Sequence, residues 1–195
     1  MKRGLYASKT LTALAPIALC ALALGATVLG AAACIDDPGE RQLYLCPDRN
    51  VFALFVSPMM ERRCGTLDCH GSDFRPMRLY GELGLRHPSE INQTGGDGTT
   101  PLELSDNYRS VCAIEPSKVS EVAQDPGGQS VNSLLLVRKA RGQEGHKGGK
   151  VFEPFDASDL CVVGWLRGDN AKSVRKACQE ALNQLLDNVL LPAPP

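Results

Sequence analysis

Cys64-Gly65-Thr66-Leu67-Asp68-Cys69-His70 holds the residues of this chain best suited to chemistry. Two thiols precede an imidazole, with the second cysteine and the histidine adjacent. Haem attachment uses the related pattern C-x-x-C-H, in which both thiols form thioethers and the histidine reaches iron. Here four residues separate the cysteines instead of two. Gly65 and Thr66 suit an outward bulge that leaves the Cys69-His70 pair undisturbed. Two other chemistries fit the same residues. Cys64 and Cys69 can close a small disulfide loop with His70 exposed. Alternatively, two thiols and an imidazole are three zinc ligands, with Cys46 and His87 the candidates to complete the set.

The cysteine count permits each reading. Of eight cysteines, Cys20 falls inside the N-terminal apolar run and Cys34 directly follows it. Six remain, and an even number in an exported protein favours bridging. With Cys64 and Cys69 on haem, the other four form two disulfides; without haem, six form three. Cys161 pairs most naturally with Cys178, because the two lie on consecutive helices. Cys46 with Cys112 is the other candidate pair, and without haem fifteen connectivities are open.

The N-terminus carries the features of an export signal. Lys2, Arg3 and Lys9 precede an uncharged stretch from Thr10 to Ala33 that ends in Gly30-Ala31-Ala32-Ala33. A positive start, an apolar middle and small residues before a cut describe a secretory signal. A cysteine immediately afterwards resembles a lipobox, which makes Cys34 the expected lipidation site. Ala31 stands where that motif usually has Leu. The expected location is the bacterial cell envelope: membrane-anchored, with Ile35 favouring the outer membrane, or periplasmic. The expected boundaries are a signal at 1–33, a tether at 34–48, a domain at 49–168 and a C-terminal amphipathic helix at 169–195 packed on it. Removing three N-terminal cations leaves 18 basic and 22 acidic residues, a net charge of −4. That balance argues against a nucleic-acid partner.

Several helices must position these groups. Val51 to Arg63 reads as a helix with Val51, Leu54, Phe55 and Met59 on one side, kinked or shortened by Pro58. Gly71 to Pro101 is rich in turn formers, and Asp97 within it reads as a turn residue. Ser105 reads as the N-cap of a helix ending at Cys112, and Pro116-Ser117 opens another. Ser130 to Arg141 carries an apolar run, and Gly142 to Gly149 holds four glycines around His146. Asp156-x-x-Asp159 starts a helix bearing Cys161 and Trp165, the latter a core anchor. Lys172 to Leu191 is amphipathic. The expected class is mainly α: small helices with long irregular loops. Hydrolase, P-loop and EF-hand motifs are not found, and no enzymatic role is expected.

The order of the later motifs carries a resemblance. Ser133-Leu134-Leu135-Leu136, then Gly145-His146-Lys147-Gly148-Gly149, then the helix with Trp165-Leu166 and Gly168, is similar to the C-terminal half of planctomycete-type cytochrome c domains. Cys69-His70-Gly71 matches that family's N-terminal half, with Cys64 displaced. The longer spacing resembles a variant of some multihaem cytochromes c. The resemblance spans roughly Val51 to Gly168. It implies a cytochrome c-like fold and one covalent haem c on Cys64 and Cys69. It further implies His70 as proximal iron ligand, a histidine at the position of His146, and electron transfer with a redox protein partner. As sixth ligand His146 is preferred over Met77, which lies only seven residues after His70. Met59 and Met60 read as core or surface residues and His87 as a surface residue. The competing expectation is a haem-free, disulfide-stapled lipoprotein domain with a structural or binding role in the envelope.

Overall fold

The structure, a computed structural model, describes residues 43–88 and 98–190. The export segment, Cys34 and Asp97 lie outside the described residues. A compact unit begins at Tyr44. Helix α1 runs in three stretches: Arg49–Val51, a π-helical Phe52–Val56, and Ser57–Cys64. Asp48 caps its start, accepting from the N–H groups of Asn50 and Val51. Pro58 does not end the helix. The wider π turn before it releases the hydrogen bond that a proline ring would obstruct, and the helix continues to Cys64.

Helix α2 spans Pro101–Cys112, α3 Pro116–Gln124, α4 Leu135–Ala140, α5 Ala157–Leu166 and α6 Ala171–Leu190. The fold is mainly α, and among the described residues pairing between strands is limited to one bridge, Tyr80 with Leu85. Ser105 does not cap α2. Thr100 does, in a reciprocal capping box with Glu103, and Pro101 occupies the first turn, where its missing N–H costs nothing. Within the apolar run from Ser130 to Arg141, Ser130–Ser133 forms a 3-10 turn and the helix spans Leu135–Ala140. Asp156 caps α5 through the Asp159 N–H, as its spacing predicts.

Helix α5 is the centre of the core and is buried on nearly every side. Trp165 is buried, lies 4.9 Å from the Phe52 ring and donates its indole N–H to the Asp48 carbonyl. Tyr108 meets the edge of Phe52 from α2. Cys161 and Cys178 join α5 to α6, and Cys46 and Cys112 join the segment before α1 to the end of α2. Both pairs are those expected from the sequence. They fasten the flanking elements to a scaffold holding few aromatics.

Candidate functional site

Helix α1 delivers Cys64 to a tight loop. The Gly65 N–H donates to the Met60 and Glu61 carbonyls, ending the helix. The His70 N–H then donates to the Cys64 carbonyl at 2.8 Å, and the Gly71 N–H to Thr66 at 3.0 Å. These bonds hold Cys69-His70 against the helix end while Leu67 and Asp68 project outward, exposed. Arg75 clamps the turn from outside, donating to the Cys69 and Asp68 carbonyls. Gly71 packs so tightly that a Cβ there would stand 2.0 Å from the Gly65 carbonyl oxygen and 2.8 Å from the Gly84 Cα. Only glycine backbones can approach this closely.

The second loop runs from Gly142 to Lys150 and borders an open cavity of about 550 Å³. Its neck is closed by the Ala140 carbonyl, which accepts from the Val151 N–H (2.7 Å) and the Phe152 N–H (2.9 Å). Gly142 and Gly149 adopt left-handed backbone, φ 69° and 70°, and so turn the chain at either end. Arg141 anchors the neck to α5 through a two-pronged bond to Asp159, Nε–Oδ1 2.7 Å and Nη2–Oδ2 2.8 Å. Both partners are almost fully buried.

These loops bring His70 and His146 together across 76 residues. Their ring centroids stand 6.0 Å apart with planes 13° from parallel. Nδ1 of His70 lies 2.9 Å from the Met77 carbonyl, and Nδ1 of His146 lies 2.9 Å from the Gly149 carbonyl. A carbonyl only accepts, so each Nδ1 carries a proton, and in the neutral ring Nε2 is the nitrogen with a lone pair. That tautomer is the one a metal-bound imidazole adopts. Burial pushes the His70 imidazole below its usual value. The bond to Met77 opposes this shift, while His146 and Arg75 add to it.

The thiols are the other half of the donor set. Cys64 and Cys69 are unbridged and half-buried, whereas Cys46, Cys112, Cys161 and Cys178 are all paired. Burial pushes the Cys64 thiol up to about 12, with the Arg63 charge acting against it and Cys69 adding to it. The small Cys64–Cys69 disulfide loop is not formed. The zinc option is incomplete for a stated reason: Cys46 is bonded to Cys112, and His87 Nε2 lies 3.6 Å from Asp106 Oδ2. Among the described residues no group of three His, Cys, Asp or Glu side chains could hold a metal ion. His87 is not the surface residue expected but half-buried against Tyr80, its N–H donating to Glu103. Met77, Met59 and Met60 are buried, and Met77 serves the site through its carbonyl.

A metal–imidazole bond is about 2 Å long and a ring nitrogen lies about 1.1 Å from the centroid, so two imidazoles across one metal have centroids roughly 6 Å apart. The His70–His146 centroid separation equals that distance, with the two rings in a stacked, near-parallel arrangement. Cys64 and Cys69 are the two unbridged thiols among the described cysteines, and Cys69 directly precedes His70 in the chain. Sequence reading missed the Met77 and Gly149 carbonyls, since any residue supplies one. It also missed Arg63, whose only signal was its place beside Cys64. No family model, curated protein or solved structure matches this chain.

Proposed function

We propose that this chain is an exported, lipid-anchored, c-type cytochrome-like protein that relays single electrons. Cys64 and Cys69 hold one haem c covalently, His70 is the proximal ligand and His146 the distal one. The observation that carries the reading is the His70–His146 pair: 6.0 Å apart, near-parallel, each with Nδ1 engaged by a backbone carbonyl. Bound haem supplies a one-electron iron couple. The protein's part would be to orient the two imidazoles and to raise their basicity through the carbonyl bonds, with Cys64, Cys69, His70 and His146 the residues that would hold the group. Histidine in place of methionine keeps the potential low. Cys34 is the proposed lipid attachment point. The two disulfides support an oxidising compartment, which is also where covalent haem attachment takes place.

Production in a host with cytochrome c maturation tests the reading. The expected product is red, with a Soret band that survives acid–acetone extraction and a low-spin spectrum. Cys64→Ser leaves haem on one thioether, and His70→Ala loses proximal ligation. His146→Ala shifts the spectrum to high spin. A colourless protein with three disulfides by mass overturns the proposal in favour of the haem-free domain.

A further inference from the structure

The two loops reach the site from opposite ends of the chain, and something must fix the distance between them. Arg63 is the last residue before Cys64 on α1. Its Nη2 donates at 2.6 Å to the carbonyl of Val151, a residue 88 positions away. Val151 is the residue whose N–H closes the neck of the His146 loop onto Ala140. One guanidinium therefore spans from the turn that presents Cys64 and His70 to the strap that ends the His146 loop. The Arg141–Asp159 pair fixes the other side of that neck, but to α5 and not to the cysteine helix. Arg63 Nε is buried and has no hydrogen-bond partner.

We propose that Arg63 is a positioning residue that sets the separation of the His70 and His146 imidazoles by tying Val151 to the end of α1. The inference rests on the haem reading for its consequence, though not for its geometry. Were the tie cut, the strap and its glycine-rich loop would keep their bonds to Ala140, Asp159 and the end of α4, where Lys139 donates to the Gly145 carbonyl and Arg138 pairs with Glu144, but would lose their link to the cysteine helix. His146 would then leave the metal more often, while His70, secured by its own backbone bonds, would stay.

The test uses the haem-loaded full chain and cyanide as probe, because cyanide binds the ferric protein only when His146 has dissociated. Arg63→Met keeps the aliphatic stem and removes the donors. Loss of an outer-shell partner of a metal ligand costs 10–100-fold in metal affinity, so cyanide association is expected to rise about tenfold or more, with a larger high-spin fraction. Arg63→Lys keeps a donor able to reach the carbonyl and is expected to stay within about threefold of wild type, which is rescue by the conservative variant. Should Arg63→Met fail to fold, Arg63→Gln, too short to reach Val151, takes its place with the same expected rise. A lower melting temperature with unchanged cyanide rate and spectrum overturns the proposal and makes Arg63 a packing residue only. A second readout needs no haem: in the haem-free protein, Arg63→Met is expected to abolish the NMR contact between the His70 and His146 rings and to speed amide exchange at Val151 and Phe152. If wild type takes up no haem yet the variant loses that contact, the functional reading fails and the positioning role stands. If wild type takes up haem and the variant behaves identically in both readouts, the positioning role fails alone.

Discussion

His70 and His146 stand side by side on loops built in opposite ways. The His70 loop is closed by its own backbone: His70 to Cys64, Gly71 to Thr66, Leu79 to His70. Its glycines pack backbone against backbone with no room for a methyl group. The His146 loop has backbone bonds too, Gly149 to His146 and Gln143 to Arg138, and the Lys139 and Arg138 side chains reach Gly145 and Glu144, but it lacks the close glycine packing. At Gly145 an added Cβ would meet nothing within 4 Å, and most of the residues from Gly142 to Lys150 are exposed. At its neck it is further held by the Arg141–Asp159 pair, the Ala140 carbonyl and Arg63. The first histidine is fixed where it sits. The second is fixed by what happens at the base of its loop. That division makes the neck the place where the position of His146 can be changed without disturbing His70.

The neck is the place to break the comparison hardest. Asp159→Ala leaves the Arg141 guanidinium buried without its carboxylate, and removing one partner of a buried pair costs about 3–5 kcal/mol. Chemical denaturation is expected to register that loss, and the His70–His146 NMR contact is expected to weaken with it. A loss below about 1 kcal/mol would mean that the pair does not hold the neck, since exposed ion pairs are worth that little.

Gly71→Ala against Gly145→Ala tests the loops themselves. The Gly71 methyl would stand 2.0 Å from the Gly65 carbonyl oxygen, which is backbone and cannot step aside. Forcing it in is expected to cost about 3 kcal/mol. Gly145→Ala is expected to stay within about 0.5 kcal/mol of wild type, as a surface change away from special features does. Equal melting temperatures for the two variants would erase the contrast.

Of similar size, but outside both loops, is the Cys161–Cys178 bridge. Replacing both cysteines with serine releases a 17-residue separation and is expected to cost about 3 kcal/mol. The ring contact between His70 and His146 is expected to survive, because neither loop touches that bridge through its own hydrogen bonds. Loss of the contact would show that the scaffold, and not the neck, sets the histidine spacing.

What could be read from the sequence follows from what residue types encode. The Cys161–Cys178 pairing came from two cysteines on consecutive helices. The Asp156 cap came from a side chain that competes for backbone N–H groups at a fixed offset. The mainly α class came from apolar spacing. The π turn at Phe52–Val56 did not, because it is the response of a whole helix to Pro58 and not a preference of any residue in it. The start of α2 was misplaced at Ser105 because Thr100 and Ser105 are both good caps, and only the reciprocal bond with Glu103 decides between them. Cys69-His70 and His146 were legible as candidates, but their 6.0 Å approach was not. That distance depends on Gly71 meeting Gly65 and Gly84, and on Arg63 reaching Val151, contacts between segments far apart in the chain.

The smallest effect concerns the helix that carries Cys64. Glu61 lies one turn before it, accepting from Ser57 (2.7 Å), Asn107 (3.4 Å) and Thr99. Burial raises its carboxyl above the ordinary 4.5, with Glu103 adding to the rise, while the bonds from Thr99, Ser57 and Asn107 pull the other way. The folded protein therefore holds this proton to higher pH than the unfolded chain does. Between 4.5 and the raised value the native state binds more protons, so stability falls as pH increases through that window. Glu61→Gln keeps the shape of the protonated acid and carries no titrating proton. Melting curves of wild type and Glu61→Gln, taken in steps from pH 4 to 8, are expected to converge at the acid end. Toward neutrality wild type is expected to lose ground to the variant. Parallel curves would mean that the Ser57, Asn107 and Thr99 bonds fully compensate the burial, so that the well-packed side of the site carries no buried-charge penalty. A widening gap would show that the rigid loop of His70 is bought with an ionised carboxylate held under cover, while the His146 loop, open to water, escapes that cost.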